Sequence, residues 1–147
     1  MRLTGGEPLV RKDVIEIVQD LSQHFSSIGI TTNGSLLTRK LERLKEAGLT
    51  HLNISLDSLV PAKNEFITRR PNTCPVVLKA IDRALEIGMH SVKLNVVAMR
   101  NFNDDEVLDF IELTKEKPLD VRFIEFMPFD ANDWKTNKFI SMAEMHE

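Results

Sequence analysis

A partial (β/α) barrel, its parallel strands alternating with helices and truncated at both ends, is the fold class this sequence predicts. Helical and strand hydrophobic periods take turns along the chain, as in a sheet built from strand–helix units. The unit also repeats: Glu46-Ala47-Gly48-Leu49-Thr50-His51-Leu52-Asn53-Ile54 and Glu86-Ile87-Gly88-Met89-His90-Ser91-Val92-Lys93-Leu94 share one plan of helix end, Gly cap, short approach and alternating strand. Finally, the strands alternate apolar and polar residues. A doubly wound sheet buries both faces and reads as continuous Val, Ile and Leu, whereas one polar face suits the inside of a barrel near its ligand-binding rim.

The elements follow in order. Arg2-Leu3-Thr4 reads as the end of a strand running into the loop Gly5-Gly6-Glu7-Pro8. Val14, Ile15, Ile17, Val18 and Leu21 recur at three- and four-residue spacing, predicting a helix over 13–24. A strand over 28–32 closes on Asn33-Gly34; Leu37, Leu41, Leu44 and Ala47 mark a helix stopped by Gly48; Leu52, Ile54 and Leu56 alternate as the next strand. Val77, Leu78, Ile81, Ala84 and Leu85 form a helical core face, and Val92, Leu94 and Val96 a strand. A further helix over 104–116 ends before Pro118, and 121–127 is a strand. Ser141-Met142-Ala143-Glu144 has the form of a capping box opening one more helix. Residues 1–147 are thus expected to be one partial domain, cut from a larger one.

Composition narrows the partners. With 19 Lys+Arg against 22 Asp+Glu the net charge is -3, and no basic block marks a nucleic-acid or membrane-surface footprint. No run approaches the apolar length of a membrane span. The expected partner is a small molecule. One cysteine, Cys74, excludes an internal disulfide, a structural zinc site and the thiolate set of an iron–sulfur cluster within these residues.

Few residues announce chemistry by themselves. The two glycines of Thr4-Gly5-Gly6-Glu7-Pro8 allow a ligand close to the backbone, and main-chain groups beside a carboxylate suit a zwitterion; the same loop is also a tight βα turn with Glu7 in the first helical turn. Lys93 alternates with Val92 and Leu94, as a surface lysine does, Thr31 is a strand former and Ser55 a hydroxyl for its neighbours. Arg69-Arg70 reads as a solvated loop. His24, His51, His90 and His146 lack the spacing of a metal site. Cys74 near a helix start invites a lowered thiol pKa, without an evident partner.

Taken together, Arg2-x-Thr4-Gly5-Gly6-Glu7-Pro8, Thr31-Thr32-Asn33-Gly34, Asn53-x-Ser55-x-Asp57, Lys93-x-Asn95 and Arg122-Phe123-Ile124-Glu125-Phe126-Met127 resemble the motifs of radical S-adenosylmethionine enzymes. Within them, the Arg-x-Thr start and the Arg-Phe-Ile-Glu-Phe-Met strand resemble the GTP 3′,8-cyclase family, over essentially the whole chain. The resemblance implies a barrel of the radical S-adenosylmethionine type. It also implies the conversion of GTP to (8S)-3′,8-cyclo-7,8-dihydroguanosine 5′-triphosphate, the first step of molybdopterin cofactor biosynthesis. Gly6, Ser55 and Met127 are implied to contact S-adenosylmethionine, and Arg2, Thr31 and Lys93 to hold GTP, with Arg122 a further phosphate ligand. Three cations suit a triphosphate that an acidic protein otherwise repels. Arg122 and Met127, five residues apart, fall on opposite faces of a regular strand, so either a bulge intervenes or Met127 acts by its backbone from the strand end.

The departure from the family lies in the metal. The [4Fe–4S] clusters of such enzymes are held by a Cys-x-x-x-Cys-x-x-Cys loop and by later cysteines, none of which is in these 147 residues. The chain is expected to supply cofactor and substrate walls to a longer parent and to be inactive alone. The resemblance leaves open a homodimeric parent and a location in the cytoplasm of a bacterium or the mitochondrial matrix of a eukaryote. The competing readings are a noncatalytic truncated product, a radical enzyme acting on a peptide or tetrapyrrole, and an unrelated phosphate-binding barrel.

Overall fold

In the computed structural model, which describes residues 1–128 and 136–145, five strands form one parallel sheet in chain order. They are β1 (Arg2–Leu3), β2 (Gly29–Thr32), β3 (His51–Ser55), β4 (Ser91–Ala98) and β5 (Asp120–Glu125). The helices are α1 (Val14–Ser22), α2 (Leu37–Glu46), α3 (Pro61–Thr68), α4 (Thr73–Glu86), α5 (Val107–Glu116) and the short α6 (Met142–Met145). Because neighbouring strands are also sequence neighbours and the ladder does not close, the sheet is an open arc of a barrel wall.

Its two faces follow from the alternation. Leu52 and Ile54 of β3, Leu56 just after it, and Val92, Leu94 and Val96 of β4 are buried against the helices, where Leu37, Leu41 and Leu44 of α2, Val77 and Ile81 of α4 and Phe110 of α5 complete the core. The opposite face carries Thr31, Asn53, Ser55, Lys93, Asn95 and Arg122, and of these only Asn53 is buried.

The internal repeat survives in three dimensions. After α2 the Leu49 N–H donates to the Leu44 carbonyl at 2.9 Å and Gly48 N–H to Lys45 at 3.0 Å; after α4 Met89 donates to Ala84 at 3.0 Å and Gly88 to Leu85 at 2.9 Å. The two caps differ in their surroundings. A Cβ at Gly48, where φ is +107°, would lie 2.6 Å from Ser22 Cβ, whereas at Gly88 the nearest atom is the flexible Lys45 Nζ at 3.8 Å. Gly48→Ala is therefore expected to cost about 3 kcal/mol and Gly88→Ala about 1 kcal/mol, read as shifts in the urea midpoint; equal losses would contradict the difference.

Three boundaries depart from expectation. α3 was invisible to periodicity because Asn64 is its only buried residue; its one signal is Pro61 at the first helical position. The helix expected over 104–116 opens as a 3-10 turn, Asp104–Glu106, and becomes α-helical at Val107. β5 ends at Glu125 rather than at 127. The capping box does form: Glu144 N–H donates to Ser141 Oγ at 3.3 Å and Ser141 N–H donates to Glu144 Oε2 at 3.0 Å; the bonds its carboxylate accepts from the Ser141 N–H and hydroxyl and from Arg100 hold the Glu144 carboxyl down to about 2. His146 lies outside the described residues.

Candidate functional site on the polar face

Register brings the scattered site residues together. Arg2 of β1 lies opposite Gly29, Gly29 opposite His51, and His51 opposite Ser91. Two residues further along, Thr31, Asn53, Lys93 and Asp120 form a second row; two further still, Ser55, Asn95 and Arg122 form a third. Since residues two apart on a strand share a face, Arg2, Thr31, Ser55, Lys93 and Arg122 all rise from one side. Three strand spacings of about 4.8 Å and two residues of rise at about 3.3 Å place Arg2 and Lys93 roughly 16 Å apart at the backbone, a gap for long side chains and an extended ligand to bridge.

Met127 and Gly6 lie beyond the strands. The β4–β5 ladder runs unbroken from Lys93–Asp120 to Ala98–Glu125, so no bulge reorients Arg122, and Met127 follows two residues after the strand end, 49% exposed at the rim. Of the two sequence alternatives, the strand-end position is therefore the one adopted. Gly6 sits in the loop after β1, and a Cβ built on it meets nothing within 4 Å. Open space there suits the approach of a ligand to the main chain.

Glu7 caps the 3-10 turn Pro8–Val10, close to the helical-turn alternative, and adds partners that the sequence did not show. Its Oε1 accepts from Leu9 N–H at 3.0 Å and from the Thr32 hydroxyl at 2.7 Å, while Oε2 accepts from Asn33 N–H at 2.7 Å. Thr32 Oγ1 in turn accepts from Gly34 N–H at 3.1 Å. The carboxylate thus ties the glycine loop to the end of β2, leaving the main chain of Gly5 and Gly6 for a ligand. Glu7→Ala would strand a nearly buried Thr32 hydroxyl and loosen the loop, with an expected loss of about 1–3 kcal/mol in stability. Thermal unfolding checks it, and an unchanged midpoint would contradict the clamp.

Sequence reasoning missed the support behind the rim. Asp57 Oδ1 accepts from Val97 N–H at 2.8 Å, and burial raises its carboxyl pKa above the ordinary value. Asn103 donates to the carbonyls of Asp57 and Val97, at 2.5 and 2.9 Å. Buried Glu106 accepts from Ser58 Oγ at 2.9 Å and from Leu59 N–H at 2.7 Å, and pairs with Lys63 Nζ at 3.0 Å. These polar groups pin the chain after β3. Beside it opens a cavity of about 330 Å³ whose walls include Asn33, Ser55, Asp57, Asn64, Arg70 and Thr73. Only the long-range pairing of β3, β4 and α5 makes such a network, which no local motif announces.

Charge on the face is uneven. Arg2 and Arg122 are exposed and make no ion pair among the described residues, whereas Lys93 Nζ meets Asp120 Oδ2 at 2.9 Å. His51 stands in the row of Arg2; burial lowers its pKa, and His90, Lys93 and Arg2 push the same way. An anion is the ligand such a field attracts. Cys74 corrects its expectation: it is buried in α4, 3.5 Å from the Leu59 carbonyl, and burial followed by the Glu106 charge raises the thiol pKa. No three His, Cys, Asp or Glu residues converge as a metal site among the described residues.

Residues 1–114 match the family model of the Radical SAM superfamily. The chain belongs to that superfamily. It is 57% identical over 147 residues to the mitochondrial GTP 3′,8-cyclase of Arabidopsis thaliana, covering 99% of this chain and 37% of that protein. It is 50% identical to the GTP 3′,8-cyclase of Syntrophomonas wolfei, covering 99% of this chain and 45% of that one. The radical SAM chain described here thus spans less than half the length of these relatives. A crystallised domain of pyruvate-formate lyase-activating enzyme from Bacteroides vulgatus superposes with a TM-score of 0.76 at 19% identity, covering 99% of this chain and 88% of that one. The parallel arc is thereby a radical SAM fold, and the superfamily generally uses S-adenosylmethionine and iron–sulfur clusters. Among the described residues no helix is long and apolar enough to cross a membrane.

Proposed function

We propose that residues 1–147 are part of the core domain of a GTP 3′,8-cyclase and form its S-adenosylmethionine and GTP walls. The observation that carries the reading is the polar face: Arg2, Thr31, Lys93 and Arg122 share it with Ser55 in a chain 57% identical to a protein named for that reaction. In this reading Gly6 admits the methionine end of S-adenosylmethionine to the backbone, Ser55 offers its hydroxyl at the rim, and Met127 closes the far side. Arg2, Lys93 and Arg122 neutralise the triphosphate and Thr31 hydrogen-bonds it.

The open glycine loop fits S-adenosylmethionine, which when bound supplies the group that removes a hydrogen from the substrate. These residues do not fit a cluster, since Cys74 is one buried thiol where about three or four thiolates are needed, and in this reading the cluster belongs to cysteines elsewhere in the parent. This chain's own contribution is alignment: holding two reactants at fixed separation on one rigid face supplies much of an enzymatic rate advantage. The acidic balance favours a free nucleotide over a nucleic acid, and the mitochondrial plant relative supports a mitochondrial location in a eukaryote. The test is anaerobic incubation of the cluster-bearing parent with GTP, S-adenosylmethionine and a reductant. Mass spectrometry is expected to find a cyclised GTP isomer and equimolar 5′-deoxyadenosine; 5′-deoxyadenosine formed only with a peptide or tetrapyrrole would overturn the reading.

A further inference from the structure

The three cations of the polar face are not equivalent, and the difference lies in an acidic residue that no motif singled out. Asp120 opens β5 and is the register partner of Lys93, so both side chains leave the sheet on the same side. The pair closes at 2.9 Å, with the lysine side chain 22% and the aspartate 64% exposed. On its other flank Lys93 has Asn53, a neutral and buried neighbour. Arg2 and Arg122 have no such counter-charge among the described residues. A phosphate reaching this face meets two open guanidinium groups and one ammonium already neutralised.

Resting on the GTP reading above, we propose that Asp120 is a positioning residue that steadies the Lys93 ammonium at the mouth of β5 and, by its charge, weakens the hold of that ammonium on a triphosphate. The ammonium has three donors, so it can keep Asp120 on one while offering the others to phosphate oxygens. The carboxylate then stands within a few ångströms of a strongly anionic ligand. Its support for the lysine favours binding, and its charge opposes binding more strongly. Asparagine separates the two effects, because its side-chain oxygen still accepts from Lys93 without the charge. Such a residue keeps a triphosphate site from retaining its ligand too tightly.

The experiment is calorimetry on the cluster-bearing parent with GTP, inorganic tripolyphosphate and S-adenosylmethionine. Asp120→Asn is expected to tighten both GTP and tripolyphosphate about tenfold at low salt and to leave S-adenosylmethionine unchanged, with the gain shrinking as salt rises. Asp120→Ala is expected to tighten them less, since the ammonium loses its support. Without Lys93 the exposed Asp120 carboxylate is no longer held beside the ligand, so in a Lys93→Met background the gain from Asp120→Asn should fall well below tenfold, as a double-mutant cycle reads a coupled pair. Unchanged or weaker binding of both anions by Asp120→Asn, or a full gain that persists without Lys93, would overturn the proposal. Failure of the GTP reading looks different: tripolyphosphate tightens in Asp120→Asn while GTP binds no better than tripolyphosphate and gives no product.

Discussion

The 147-residue chain alone is expected to release no 5′-deoxyadenosine from S-adenosylmethionine, even after anaerobic reconstitution with iron and sulfide. Reductive cleavage needs an electron from a cluster, and a cluster needs about three or four thiolates. The sequence has one cysteine, buried in α4 against the Leu59 carbonyl, with its thiol pKa raised by burial rather than lowered by the helix start. Its thiolate is therefore scarce as well as solitary. Activity should be lost entirely rather than reduced, while the parent carrying the three-cysteine loop should release 5′-deoxyadenosine under the same conditions. Near-stoichiometric iron–sulfur absorbance in the isolated chain, with product, would contradict the placement of the redox centre outside it.

The second large effect concerns the substrate. In the cluster-bearing parent, Arg2→Ala and Arg122→Ala are each expected to weaken GTP about tenfold to hundredfold, the equivalent of one charge-assisted contact of about 1.5–3 kcal/mol. Both side chains are exposed and lack an ion pair among the described residues, so their removal leaves no carboxylate stranded and the loss reads the ligand contact itself. Lys93→Ala should cost less, because Asp120 already weakens the hold of that ammonium on the ligand, and the 64% exposed carboxylate turns to solvent once unpaired. Equilibrium dialysis with labelled GTP gives the three values. Losses below about twofold at both arginines would remove them from the phosphate site.

How much of this the sequence disclosed depends on the range of the interaction. Helices and strands with strict periods, such as Leu37, Leu41 and Leu44 or Leu52, Ile54 and Leu56, were legible because burial follows from spacing alone. The polar face was legible for the same reason, and with it the likeness of Arg2, Thr31, Ser55, Lys93 and Arg122 to family positions. α3 was not, since a helix held by polar contacts such as Thr73 Oγ1 to Asn64 Oδ1 at 2.6 Å has no apolar stripe to display. The partners that Glu7 takes beyond its own turn, Thr32 and Asn33, were not legible because they arrive from the end of another strand. Asp120 was passed over because strand register, which pairs it with Lys93, is a property of the assembled sheet.

A cofactor at the glycine-loop rim and a nucleotide triphosphate along the basic rows are proposed to share one polar face at two places. Calorimetry of GTP and S-adenosylmethionine against the cluster-bearing parent and its Gly6→Val and Arg2→Ala variants tests this division most directly. A Cβ at Gly6 meets no protein atom within 4 Å, so the fold should tolerate valine while the cofactor does not. Reciprocal losses are expected: Gly6→Val weakens S-adenosylmethionine at least tenfold and GTP little, and Arg2→Ala does the reverse. Equal losses of both ligands in both variants would contradict the division of the face.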